Sequence, residues 1–440
     1  MYSNSHIRQV AYPIFLSLLA QNIINVTDTA FLGRVGEVEL GASAMGGLYY
    51  VCIYFTAFGF SAGAQIVMGR RNGERNYAAV GQVMVQGILF LLGMAALIFL
   101  FSRLMGGGLM GILISSDVIR SATLDFLDWR VFGFFFSFVN VMFRAFFVGI
   151  TRTGVLTWNA LLMAGVNVLL DYLLIFGHAG FPRMGLQGAA LASVAAEAMS
   201  VLFFIVYTFL TVDRKKYGLH RPAFLDTVLL KQVLTVSVFM MMQQFVSMST
   251  FLLFFIVVER LGQRELAVAN IIRSIYVVMW IPVNALATTA NTLVSNLIGA
   301  GGVSQVTALI RRIVLMSLGI MLCFSLVLCL CSHTVLSVYT NDATLIADAL
   351  PSLYVIAATA LVCSVANIVF NGLSGTGNTR QAFLIELGVL IIYLLFIYIA
   401  GVRMRQPVHI CYLCELIYFV GLWIGCTLYF RLAKWERTKI

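Results

Sequence analysis

The chain has 440 residues, of which 61% are hydrophobic and only 10% charged. A soluble domain carries about a quarter charged residues, so a soluble globular architecture is excluded. The formal charge of +10 sits mostly in short loops, as the positive-inside bias of membrane proteins requires; nothing in the sequence resembles a nucleic-acid-binding surface.

The opening MYSNSHIRQVAYPIF lacks the charged start, short apolar core and small-residue cleavage site of a signal peptide, so the first helix is read as mature structure. Apolar runs of about twenty residues suffice to cross a bilayer as helices. Windows of about nineteen residues give twelve spans, at 9–33, 40–68, 77–101, 119–148, 156–177, 186–211, 227–259, 265–297, 305–331, 344–373, 380–400 and 408–432. Alternate connections carry Arg70, Arg71 and Arg75; Arg152; Arg214, Lys215, Lys216 and Arg221; Arg311 and Arg312; Arg380; and a tail with Arg431, Lys434, Arg437 and Lys439. This set is expected on the cytoplasmic side of a plasma (inner) membrane, with both termini inside. The longest polar connection, TVDRKKYGLHRPAFLDT, spans 211–227. It suggests an N-terminal six-helix lobe at 1–212, a linker at 213–226 and a C-terminal six-helix lobe at 227–440. All eight cysteines fall in apolar runs. Cys411 and Cys414 have redox-like spacing without a second ligand pair, and read as small helix-packing residues.

An internal repeat supports the two lobes. FLGRVGEVELGASAM (31–45) aligns with VVERLGQRELAVANI (257–271), pairing Arg34 with Arg260, Gly36 with Gly262, Glu39 with Glu265 and Leu40 with Leu266. Gln65 meets Asn291 and Gly73 meets Gly299 without a gap; GITRTG (149–154) resembles GNTRQA (377–382). Six spans separate the copies, so they share one orientation, a parallel repeat of the kind used by alternating-access transporters. The expected fold is thus all-α and polytopic, with twelve transmembrane helices in two pseudo-symmetric six-helix bundles.

Polar residues inside the spans mark the chemistry, because intramembrane ionisable groups are functional by default. Asp28 corresponds to Phe254 in the second copy. Gln21, Asn25 and Asp28, spaced by four and three, form one stripe on the first helix. Asn167 and Asp171 share a face of the fifth span at i and i+4, where the second copy has Leu395 and Ile399. Two carboxylates with an amide carbonyl suit a small hard cation, Na⁺, or a proton. No other metal and no cofactor is expected. The alternative is that Asp28 and Asp171 merely pair with Arg130 or Arg144. Glu197, Glu386 and Glu415 are read as standing alone. Asn140 and Arg144 are candidates for the border of the Asp28 site; Gln243, Gln244 and Asn367 form neutral stripes in the second half that fit substrate contact or interhelical hydrogen bonding. The aromatic and Met-rich stretches FGFFFSFVNVMFRAFF and VFMMMQQFVSMSTFLLFF read mostly as lipid-facing bulk.

NVTDTAFLGRVGEVELGA, GITRTG, NVLLDYLLIFG and GLQGAALASV, in this order across the first half, resemble multidrug and toxic compound extrusion (MATE) transporters, most closely the DinF-type branch. The resemblance implies a secondary antiporter that exports amphipathic, often cationic, small molecules in exchange for H⁺ or Na⁺. It also implies a first-lobe cation site at Asp28, Asn167 and Asp171, with Ser193 where the family often has Thr. The partners expected are a small-molecule substrate and membrane lipid, with the chain acting as a monomer. A lipid-linked oligosaccharide flippase of the same wider superfamily is the runner-up, for which only Arg130, Arg144 and Arg273 could line the cavity. A polytopic membrane enzyme is disfavoured, because no HExxH motif occurs and all five histidines fall near helix ends; direct ATP drive is disfavoured, because no Walker A motif occurs.

Overall fold

The computed structural model describes residues 2–219, 226–433 and 435–437. Of the basic residues assigned to one side above, Arg221, Lys434 and Lys439, and the side chain of Arg437, lie outside the described residues, as does 220–225 of the linker. The described chain is helical: α1 (Asn4–Val35), α2 (Glu37–Gly73), α3 (Tyr77–Leu113), α4 (Asp117–Arg130), α5 (Gly133–Gly149), α6 (Gly154–Phe176), α7 (Leu186–Thr211), α8 (Thr227–Glu259), α9 (Gln263–Gly299), α10 (Val306–Leu330), α11 (Ser332–Ser337), α12 (Ala343–Gly375), α13 (Thr379–Ile397), α14 (Val408–Cys411) and α15 (Leu413–Leu432). Eleven helical segments are long and apolar enough to cross a bilayer, and α4 with α5 makes a twelfth. That pair is bent by 53°, where the sequence suggested one continuous helix over 119–148.

The helix starts follow local chemistry. Asn76, Ser116 and Asp342 stand one residue before α3, α4 and α12, and each side chain accepts a first-turn N–H, the usual N-cap arrangement. The two copies of the repeat start α2 and α9 alike. Gly36 and Gly262 precede the helices, and the carboxylates of Glu39 and Glu265 fold back over them into the space a side chain at either glycine would enter. An acid in the first turn complements the helix dipole. Past the ends of these helices, Arg75 (φ 60) and Gly301 (φ 80) occupy equivalent left-handed positions.

The chain forms two compact units, Tyr12–Met241 and Met242–Ile440 with Met1–Ala11, so the division falls inside α1 and α8. The reason for α8 lies in α2. Gly59 and Gly63 form a G-x-x-x-G pair, which lets backbones approach closely. A side chain at Gly59 would come within 2.7 Å of the Met241 Cα, and Ser237 Oγ donates to the Phe60 carbonyl at 3.0 Å. In the first unit Phe134, Phe138, Phe146 and Phe147 are fully buried. This corrects their reading as lipid-facing bulk: they fill the space between α5 and its neighbours. The second unit has a continuous core of Ile272, Leu353, Ala360, Cys363 and Phe419 among others, and Cys411 and Cys414 are buried there.

Candidate functional site

In the first unit, α6 carries Asn167 and Asp171 one turn apart, exposed by 1% and 0%. Asp28 of α1 is half-buried, and its carboxyl lies close enough to that of Asp171 to interact. The two carboxyls are each other's hydrogen-bond partner when they share a proton; otherwise Oδ1 of Asp28, both carboxyl oxygens of Asp171, and Oδ1 and Nδ2 of Asn167 are buried without one. Buried polar atoms are normally paired, and an unpaired one costs about 1–3 kcal/mol. Five in one place is therefore a signature of function rather than of packing. Four of the five are oxygens, the ligand type that hard cations prefer; equally, two adjacent carboxyls suit a shared proton. The residues present fit either coupling ion.

The arginines do other work. Arg130 donates to both carboxyl oxygens of Glu197, at 2.7 and 3.0 Å, and its guanidinium stacks over the Tyr50 ring at 3.5 Å. Tyr50 Oη in turn donates to the Glu197 carboxylate at 3.0 and 3.1 Å and lies 2.8 Å from Ser137 Oγ. Glu197 is thus not isolated, as the sequence suggested, and Arg130 reaches Asp28 only electrostatically. Gly133, directly after the bend, faces this cluster: a side chain there would meet Glu197 Oε2 at 2.5 Å and Tyr50 Oη at 2.9 Å. The ion pair and the Tyr50 hydroxyl thus occupy the space a side chain at position 133 would fill, which suits glycine there. Arg144 pairs with neither aspartate; it lies 5.3 Å from the Phe58 ring centroid.

Gln21, Asn140 and Arg144 line a cavity of about 70 Å³ with Tyr54, Asn159 and Glu197. Asn140 Nδ2 donates to Ser200 Oγ at 2.7 Å, and Ser200 donates to Asn159 Oδ1 at 2.9 Å. Asn25 is exposed and does not line this cavity, so the expected stripe on α1 has only Asp28 partly buried. Ser193 is half-buried on α7 and makes no hydrogen bond among the described residues. In the second unit, Gln243 Oε1 and Asn367 Nδ2 are buried and unpaired, whereas Asn367 Oδ1 accepts from Asn371. Gln244 is half-buried on α8, and no hydrogen bond joins it to Asn367.

Two carboxyls in the second unit also have partners that sequence spacing does not reveal. Glu386 Oε1 accepts from Ser247 and Tyr418, both at 2.7 Å. Glu415 accepts from Tyr276 at 3.3 Å and Tyr393 at 3.1 Å. Their donors lie on other helices, so reading each acid as solitary is corrected.

The chain is similar to the probable multidrug resistance protein NorM of Agrobacterium fabrum, with 25% identity over 209 residues that cover 47% of this chain and 44% of that protein. It thus spans about half the length of several such relatives. The Thermotoga maritima protein of the same description is 23% identical, with 98% of this chain and 93% of that one aligned. Among solved structures, an aspartate-to-asparagine variant of the Vibrio cholerae MATE transporter VcmN superposes with a TM-score of 0.89 at 15% identity, covering 99% of this chain and 98% of that one. That likeness shows the fold. The MatE family model matches residues 13–173 and 240–399, once in each copy of the repeat, and the chain belongs to the MatE family.

Proposed function

We propose that the protein is a secondary exporter that exchanges H⁺ or Na⁺ for amphipathic, often cationic, small molecules by alternating access. The observation that carries this reading is the unpartnered oxygen cluster of Asp28, Asn167 and Asp171. Binding of the ion satisfies the buried carboxyls and changes how α1 packs on α6; Pro13 inside α1 removes one helical hydrogen bond and makes that repacking local. Repacking then weakens the hold on substrate at the outer face. The Asp28, Asn167 and Asp171 cluster lies in the first unit, and α8 has no acid before its terminal Glu259; both support the DinF-type branch. The same reading has the chain working as a monomer in the inner membrane, with both termini cytoplasmic.

Efflux from proteoliposomes under separately imposed Na⁺ and pH gradients tests the proposal. One gradient drives efflux of a fluorescent cation by the wild type, while Asp28→Asn folds normally and loses ion-driven efflux. An Asp28→Asn protein that still exports at the wild-type rate down either gradient overturns it.

A further inference from the structure

We infer that Arg144 is a recognition site for the carboxylate of a zwitterionic or anionic amphipathic substrate. The inference rests on the exporter reading only in treating the cavity beside Arg144 as a substrate recess.

Arginine is almost never buried unless paired, and charge within a membrane span marks substrate pathways. Arg144 is partly buried in the second half of α5, at the wall of the first unit's cavity. It forms no ion pair among the described residues; its neighbours are the Phe58 ring and the Tyr54 hydroxyl. The other ionisable wall residue with opposite charge, Glu197, has both oxygens engaged by Arg130 and by Tyr50. The Asn140–Ser200–Asn159 chain consumes neutral hydrogen-bonding groups within itself. The recess is therefore left with one uncompensated positive charge, carried by a planar fork that matches a carboxylate bidentately.

Size selects a head group. The cavity of about 70 Å³ exceeds the ~10–15 Å³ that one water needs and falls well short of the ~300–1,000 Å³ of a pocket for a whole drug-sized molecule. Tyr54 and Phe204 supply aromatic surface in the same wall, so a carboxylate attached to an aromatic ring satisfies both of its features.

Rhodamine B and its ethyl ester share one aromatic cation and differ only in the free carboxylate. Fluorescence titration of the purified full-length protein compares their affinities, in detergent and in nanodiscs with or without phosphatidylglycerol. Wild type is expected to bind the acid at least about tenfold more tightly. Arg144→Gln is expected to lose about 10- to 100-fold for the acid, the value of hydrogen bonds between charged groups, while binding the ester unchanged; Arg144→Lys retains part of the preference. Equal wild-type affinity for acid and ester overturns the inference, as does equal loss of both dyes in Arg144→Lys. Arg144-dependent retention of phosphatidylglycerol without acid–ester discrimination assigns the site to a lipid phosphate and also overturns it. If Arg144→Gln fails to fold, the wild-type ratio and Arg144→Lys decide. Binding requires no ion gradient. Acid-selective binding without gradient-driven efflux would thus refute the antiport reading alone, and gradient-driven efflux with no acid preference would refute this one alone.

Discussion

Arg130, the last residue of α4, and Glu197, in the middle of α7, close a two-pronged ion pair across 67 positions of sequence. Each side chain keeps 13% exposure, so little water screens the pair. Removing one partner of such a pair leaves the other charge stranded, at a cost of about 3–5 kcal/mol, whereas removing both costs much less. Glu197→Gln should therefore lower stability by about 3 kcal/mol, and Arg130→Met with Glu197→Gln should recover a large part of that. Thermal unfolding of the four proteins in detergent gives the coupling; additive losses would mean the two residues act independently.

Asp171 predicts the opposite sign. Its carboxyl oxygens are buried with only the Asp28 carboxyl to share a proton with, so the folded protein bears most of their desolvation uncompensated. Asp171→Leu keeps the branched shape and should raise stability by about 1–3 kcal/mol while eliminating ion-driven efflux. A variant that melts lower than wild type would show that the carboxyl is held by interactions that strengthen the fold. Function and stability oppose each other at this position, a common trade at active sites.

The turn after α2 offers a prediction drawn from the repeat itself. Arg75 adopts φ 60 where the second copy has Gly301 at φ 80. A left-handed conformation costs a residue with a Cβ about 1–2 kcal/mol, part of which glycine returns as lost unfolded-state restriction. Arg75→Gly should stabilise the protein by up to about 1 kcal/mol, and Gly301→Ala should destabilise it by a comparable amount. Parallel denaturation of the two variants checks both signs.

Outside the membrane-spanning helices, Asp342 caps α12. Hydrogen bonds from the Thr344 hydroxyl and from the Thr344 and Leu345 N–H groups hold its carboxyl below the ordinary value of 3.8. Because the folded value is depressed, the stabilisation is fully present above the unfolded value and disappears as pH falls through the folded one. Asp342→Ala should thus melt slightly below wild type at neutral pH, and the two curves should converge under strongly acidic conditions. A difference that persists there would assign the effect to something other than the ionised cap.

Much of this architecture is legible from local patterns. Asn167 and Asp171 are one turn apart, so a single helical period places them together, and the Gly36/Glu39 and Gly262/Glu265 starts are visible as a repeated spacing. What spacing cannot convey is which helix faces which. The donors to Glu386 come from Ser247, 139 positions away, and from Tyr418. The space beside Gly133 is likewise filled by Tyr50 and Glu197 arriving from other helices, and no proline announces the bend just before it. Asn25 illustrates the converse error, because a polar stripe on a helix says nothing about how much of it the neighbours cover.

The repeat also divides the two units dynamically. Where the first copy has Asp28, the second has Phe254, 2% exposed and 4.9 Å from the ring of Tyr412, whose hydroxyl donates to the Ala269 carbonyl. That position in the second unit is a finished aromatic contact with no unmet hydrogen bond at its centre. Its counterpart gathers two carboxyls and an amide that have no hydrogen-bond partner outside the cluster. Local opening draws on the least satisfied parts of a structure, so amide hydrogens of α1 and α6 around Asp28 and Asp171 should exchange faster than those around Phe254. Faster exchange confined to the first unit would set a half with give against a stiff one, with the give concentrated at Asp28 and Asp171.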